Sequence, residues 1–266
     1  MNKSPRDYGL NHDNWRVGQR EMAETLLGKP RGSVTLLQAP VGSGKTGLSR
    51  AMGVSERGVT ALVKTKLLQQ NNYGSPTYGF DILYGRSNYP CPPPEQTYEA
   101  ASAAECLYED DMPSCDIASE CPFLIQKARV MASRVRSLNY ALFLSSRWTK
   151  LPEHATDYLF MDEAHMLSDE VVEWVGLTIK DTDRLKYRLP DFPTVYQSTE
   201  ENAEKIVEWL DGAVEAVELL YANTPNSEKA KRSKLSRLKG KLGVTQSALE
   251  SHGRDWYVRS GGRAID

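Results

Sequence analysis

Four short apolar runs punctuate the first 165 residues. SVTLLQAP (33–40) ends in proline, GVTALVKT (58–65) is rich in β-branched residues, and FDILYG (80–85) is the third. In DYLFMDEAH (157–165) the run Tyr158 to Met161 ends at two acids. Runs of this length bounded by turn residues predict buried strands. Helical stretches between them predict crossover connections, hence an α/β fold with a parallel sheet. From about residue 200 the period changes. Ala203, Ile206, Val207, Leu210, Val214, Val217 and Leu220 recur at helical spacing, as do Leu235, Leu238, Leu242 and Leu249. NTPNSEK separates the two series as a turn, so 200–252 predicts a helical hairpin. No internal repeat or low-complexity tract occurs.

Composition changes this picture little. The 266 residues are 26% charged and 40% hydrophobic with a net charge of −2. This suits a globular chain with a sizeable core, and nucleic acid would have to meet a local basic patch rather than a global charge. The N-terminal stretch MNKSPRDYGLNHDN has no apolar targeting core, and no run approaches the ~18 apolar residues of a membrane span. The expected location is the cytoplasm, or the nucleus in a eukaryote. In that reducing setting the four cysteines point to a metal before disulfides.

The strongest chemical signal is QAPVGSGKTGL (38–48). A predicted strand, then Gly42, Ser43, Gly44, Lys45 and Thr46, then a helical stretch make a P-loop context. Backbone N–H groups and the helix N-terminus would face the phosphates of ATP. Lys45 would reach the β- and γ-phosphates and Thr46 would bind Mg²⁺. Ala39 stands where the usual pattern has its first glycine. Asp162-Glu163-Ala164-His165 closes the fourth strand. Nucleotide hydrolysis needs one carboxylate for Mg²⁺ and one for the attacking water, and we assign Asp162 and Glu163 to these tasks. A Gly-rich turn or a solvated acid pair is the bland reading of either motif alone. Their co-occurrence behind predicted strands favours the functional one.

Taken together, the motifs resemble the DEAH-type superfamily-two helicases, and more narrowly the iron–sulphur group known as the XPD/DinG family. WRVGQREMAETLL (15–27) is similar to the Q motif, which implies that Arg16 and Gln19 recognise adenine. ALVKTKLLQQ (61–70) is similar to motif Ia, which touches the backbone of the DNA strand. YGRSNYPC runs into the first cluster cysteine of that family, and CPFLIQKARVMASRVRSLNYALFL (121–144) resembles the segment leading to motif II. The likeness covers about residues 1–170, with the motifs in the family's order.

The resemblance also bears on the cysteines. Cys91, Cys106, Cys115 and Cys121 are spaced C-x₁₄-C-x₈-C-x₅-C between the motif Ia-like run and the DEAH box. Four thiolates can hold a [4Fe–4S] cluster, and this is where the family places one. Zinc is the alternative occupant, although its sites usually show tight C-x₂₋₄-C pairs; four free cysteines remain the bland reading.

The implied architecture is a P-loop, RecA-like sheet with a cluster insertion and an arch-like helical segment. Its parts would be 1–84, the first half of the lobe; 85–125, the cluster domain; 126–180, the rest of the lobe; and 181–266, the helical segment. The implied activity is an ATP-dependent DNA helicase moving 5′→3′ on single-stranded DNA. His165 would couple nucleotide state to strand binding. No motif III or second RecA-like lobe occurs in these 266 residues. The chain by itself is therefore expected to hydrolyse ATP slowly, with the second lobe supplied in cis or in trans. The competing class is a non-motor iron–sulphur nucleic-acid-binding or adaptor protein that keeps its nucleotide site. Lys229, Lys231, Arg232, Lys234, Arg237, Lys239 and Lys241 form a basic run, read either as a solvated face or as a phosphate-contacting surface. Tyr89, Tyr98 and Tyr108 could stack on bases, with packing the blander role. Trp209 and Trp256 are assigned to packing.

Overall fold

The computed structural model describes residues 4–54, 58–90, 108–109, 112–113, 118–144, 156–195 and 199–251. These fall into two compact units, one holding the main sheet and ending at Glu170, the other holding residues 108–109 and 112–113 and the helical hairpin from Val171 onward.

In the first unit α1 (Gln19–Leu27) and α2 (Lys45–Val54) precede β1 (Val59–Val63). A single turn α3 (Lys66–Leu68) runs into a wider π-type turn, Gln69–Tyr73, and then β2 (Asp81–Ile82). A short antiparallel pair, β3 (Tyr108–Glu109) and β4 (Met112–Pro113), belongs to the second unit; the first resumes with α4 (Pro122–Ala132) and β5 (Val135–Asn139). The unit continues with α5 (Tyr140–Leu144) and β6 (Tyr158–Met161), and α6 (Leu167–Val175) follows. The main sheet is four-stranded in the order β2-β5-β1-β6, and every pairing is parallel. The α/β class with a parallel sheet is therefore what the apolar runs predicted.

Central β1 is buried at all five positions, as a strand covered on both faces must be. Val59, Ala61 and Val63 pack with Tyr73, Phe80 and Val135 to make the sheet's core. β5 is buried at its first four positions although two of them are Arg136 and Ser137. The Arg136 guanidinium donates to Thr60 Oγ1 (2.9 Å) and to the Met131 carbonyl (3.2 Å).

Two strand expectations need correction. FDILYG pairs only through Asp81 and Ile82. SVTLLQAP, residues 33–40, forms no ladder: Val34 and Leu36 are each 91% exposed. An apolar run becomes a strand only when another strand supplies hydrogen bonds, and among the described residues none pairs with this one. Correspondingly, β6 is the terminal strand of the sheet, with Leu159 and Met161 partly exposed on it.

The second unit contains α7 (Asp181–Tyr187) and two 23-residue helices, α8 (Glu200–Ala222) and α9 (Lys229–Ser251). The predicted hairpin is present. Thr199 caps α8 by accepting from the Asn202 N–H (3.2 Å). Ile206, Leu210, Ala213 and Val217 face Leu235, Leu242 and Leu249, the spacing read in the sequence. Trp209 packs as expected: it is buried, donates to the Pro190 carbonyl (3.0 Å) and meets Phe192 edge-on.

Candidate nucleotide site

Parallel sheets bind ligands beyond the carboxyl ends of their strands. Here the register aligns Val63 with Asn139 and Leu62 with Met161, so three strands end together. Asp162 follows Met161 directly and continues the ladder, its N–H donating to the Leu62 carbonyl (2.9 Å).

The 42–46 loop lies before α2, which begins at Lys45 and packs against β1, β5 and β6. Gly42 has φ +82° and Gly44 φ +89°, conformations that side-chain-bearing residues rarely adopt. A Cβ on Gly44 would lie 2.6 Å from Gln19 Nε2, so only glycine lets the loop approach α1 this closely. Ser43 Oγ is buried without a hydrogen-bond partner. The first N–H groups of α2 lack intrahelical acceptors by construction. These are the donors a phosphate would take, and the donor set fits a nucleotide's phosphates. Lys45 Nζ donates to the carbonyl of Ala39 (3.0 Å), resting on its own loop.

Arg16 and Gln19 are brought to this loop. Gln19 is fully buried; its Nε2 donates to the Gly44 carbonyl (3.1 Å) and its Oε1 accepts from the Arg16 N–H (3.2 Å). Arg16 Nη1 donates to the Gly42 carbonyl. The pair thus braces the phosphate loop from outside. The side chains expected to meet adenine are engaged with the loop's backbone here.

Across the loop stands Asp162. Its Oδ2 accepts from the hydroxyl of Tyr73 (3.0 Å), and its carbonyl accepts from the Tyr140 hydroxyl (2.9 Å). Both tyrosines are fully buried. Tyr73 also interacts with the side chains of Ser49 and Thr46, and Ser49 Oγ donates to the Thr46 carbonyl (2.8 Å). Burial, then the negative charge of Asp162, raise the Tyr73 hydroxyl far above its ordinary range. Burial, followed by the charges of Asp162, Glu170 and Glu163, pushes Tyr140 up to about 12. Both hydroxyls therefore remain donors at neutral pH. Thr46 and Asp162, the two side chains assigned to Mg²⁺, are joined through one phenol.

Glu163 adopts φ 53°, ψ 46°, a left-handed conformation uncommon outside glycine, and its carboxylate stands 3.4 Å from His165 Nδ1. Both side chains are exposed, beyond the sheet's edge. Tyr73, Tyr140, Ser49 and the buried Gln69 were not singled out from the sequence as site residues. Gln69 Nε2 donates to the carbonyls of Leu83 and Ser137, anchoring the motif Ia-like segment under the sheet. Thr65 caps α3, Lys64 pairs with Glu170 (3.5 Å), and Lys66 bonds Asn88 of the GRSNY run.

Of the cysteines, Cys91, Cys106 and Cys115 lie outside the described residues. Cys121 is buried at the N-cap of α4. Among the described residues no group of three or more His, Cys, Asp or Glu side chains converges as a metal site. Tyr98 and Trp256 also lie outside the described residues. Tyr89 packs edge-on against Phe123, and its oxygen accepts from the Tyr84 N–H (3.2 Å), which is the packing role. In the second unit Lys231 and Lys239 of the basic run are paired with Glu228 and Glu218. Lys241 donates to the carbonyls of Glu173 and Trp174 at the end of α6. Lys234 and Arg237 line a cavity of about 290 Å³ together with Asp183 and Tyr187.

No helix among the described residues is long and apolar enough to cross a membrane. No protein-family model matches the chain, and no curated protein or solved structure is significantly similar to it. The likeness to helicases accordingly rests on the short motifs and their order.

Proposed function

We propose that this chain is the nucleotide-binding motor lobe of an ATP-dependent DNA helicase of the DEAH type. The observation that carries the reading is the convergence of a braced Gly42–Thr46 loop with Asp162 at the end of the neighbouring strand. Asp162 accepts from the Tyr73 hydroxyl, which also interacts with the side chain of Thr46, 116 residues away from Asp162 in sequence. A glycine-rich turn with no ligand would need neither the Gln19 brace nor a buried link to an acid.

In this reading α2's N-terminus and the loop N–H groups bind the β- and γ-phosphates of ATP, and Lys45 leaves the Ala39 carbonyl to meet them. Thr46 and Asp162 would hold Mg²⁺, which when bound neutralises charge on the phosphates and orients them. Glu163, exposed beside the strand end, positions the attacking water. Arg16 and Gln19 keep the loop in its receptive shape, and the resemblance to the Q motif gives them a part in adenine recognition. The motif Ia-like segment, Lys64 to Gln69, would touch single-stranded DNA. Cys91, Cys106, Cys115 and Cys121 would hold a [4Fe–4S] cluster. A second RecA-like lobe, in cis or in trans, would complete the ATP site. Arginines supplied across such a boundary are worth about 10³–10⁵ in turnover in related phosphoryl chemistry, so this chain alone should turn over slowly.

The test is a fluorescent-ATP titration of the parent and of Lys45→Ala, followed by ATPase assays with single-stranded DNA, with and without an added second lobe. Lys45→Ala should abolish binding, and the lobe should restore DNA-stimulated turnover. Equal binding by parent and Lys45→Ala would refute the site.

A further inference from the structure

Tyr73 occupies a place that no sequence motif explains. It ends the π-type turn Gln69–Tyr73, a rare helical form that aims side chains differently from an α-helix. Its ring is fully buried, set edge-on against Phe80 at 5.0 Å within the sheet's core cluster. A core position at this depth would be served equally well by phenylalanine. The hydroxyl is nevertheless present, and its 3.0 Å bond goes to a carboxylate oxygen of Asp162, 89 residues away. Buried hydroxyls are costly unless partnered, so the oxygen is retained for the bond it makes.

We propose that Tyr73 is a positioning residue for magnesium at the nucleotide site, fixing through its hydroxyl which oxygen of the Asp162 carboxylate faces the phosphate loop. This rests on the nucleotide reading above and deepens it. A carboxylate has two equivalent oxygens, and a donor on Oδ2 leaves Oδ1 as the free ligand. It also restricts the rotations the side chain can sample before the ion arrives. Partners that orient a metal-binding group in this way typically change metal affinity by about 10- to 100-fold when removed. The Tyr140 hydroxyl supplies an internal control. It is equally buried and belongs to the same sheet end, but it bonds the main-chain carbonyl of Asp162 rather than the carboxylate.

The experiment is a fluorescent-ATP titration of the whole chain in EDTA and across a Mg²⁺ series, for the parent, Tyr73→Phe and Tyr140→Phe, with melting curves of each. Nucleotide affinity in EDTA should stay within about twofold for Tyr73→Phe. Its Mg²⁺ half-point should rise roughly 10- to 100-fold, while Tyr140→Phe leaves the half-point near the parent's. An unchanged half-point in Tyr73→Phe overturns the proposal. So does an equal rise in both variants, which would mark a general loosening of the strand end. Failure of the parent itself to bind ATP would instead overturn the nucleotide reading. Should Tyr73→Phe melt too low to titrate, all three proteins are titrated at a temperature below its transition and compared on the same criteria.

Discussion

Gly44→Ala tests the phosphate loop at the point where its geometry is tightest. The native φ of +89° is strained for any residue with a Cβ, and the added methyl would lie 2.6 Å from Gln19 Nε2 and 3.3 Å from its Cδ. Gln19 cannot swing aside freely, because it is buried and held by both the Gly44 carbonyl and the Arg16 N–H. Holding alanine at such a φ costs about 1–3 kcal/mol. Losing the Gln19 bond adds about 0.5–1.5 kcal/mol. If nucleotide requires the loop in its present shape, the sum of about 1.5–4.5 kcal/mol appears as a roughly 10- to 2,000-fold weaker affinity. Gly42→Ala separates the two contributions. Its φ is +82°, but nothing lies within 4 Å of the added methyl, so only the backbone cost applies. The assay is a fluorescent-ATP titration of the parent, both variants, and Gly44→Ala combined with Gln19→Ala. The order of affinity should be parent, Gly42→Ala, Gly44→Ala, and adding Gln19→Ala to Gly44→Ala should cost little more, because the Gln19 bond is already lost. Gly44→Ala binding within threefold of the parent, or better than Gly42→Ala, would refute the reasoning.

Other consequences can be checked separately. Glu163→Gln should remove DNA-stimulated hydrolysis, measured with the second lobe present, while leaving ATP binding intact. Glu163→Gly should do the same and also raise the melting temperature, because releasing a left-handed residue gains about 1 kcal/mol. Leu242→Ala removes a fully buried side chain from the hairpin core and should cost about 2–5 kcal/mol in denaturant unfolding. Protein purified without oxygen should be brown and carry close to four irons per chain, as thiolate-bound clusters do, and Cys106→Ser should lose them; stoichiometric zinc in place of iron would reject the cluster.

What the sequence revealed and what it concealed have physical causes. The hairpin was legible because Leu210, Leu235 and Leu242 are buried by the same 3.6-residue period that spaces them. β1 was legible because both its faces are covered, so its apolar run is unbroken. β5 escaped notice because buried Arg136 and Ser137 interrupt the apolar pattern, and composition does not display the bonds from Arg136 to Thr60 and Met131 that make its burial tolerable. SVTLLQAP misled in the opposite direction: apolar character reports a preference for burial, whereas a strand also needs a partner. At the site, Lys45 and Asp162 stood out by their local contexts. Tyr73 and Tyr140 did not, since a tyrosine in an apolar stretch is ordinarily core and only distance to Asp162 distinguishes these two. Asn139 and Tyr140 did fall within the segment whose likeness to the helicases was noted, though without a role.

The outer edge of β6 has a consequence for the protein as a material. A parallel sheet that ends, among the described residues, in Tyr158–Met161, with Leu159 and Met161 partly exposed, offers the N–H and C=O groups of its outer edge to any extended chain that arrives. The nearly bare Val34 and Leu36 are such a chain, carried on every copy. Two molecules could therefore satisfy each other, and the tendency would grow with concentration rather than with ionic strength, because uncharged groups form the contact. Dilution, not salt, should be the variable that keeps this chain dispersed, and light scattering along a concentration series would register it before any enzymatic assay did.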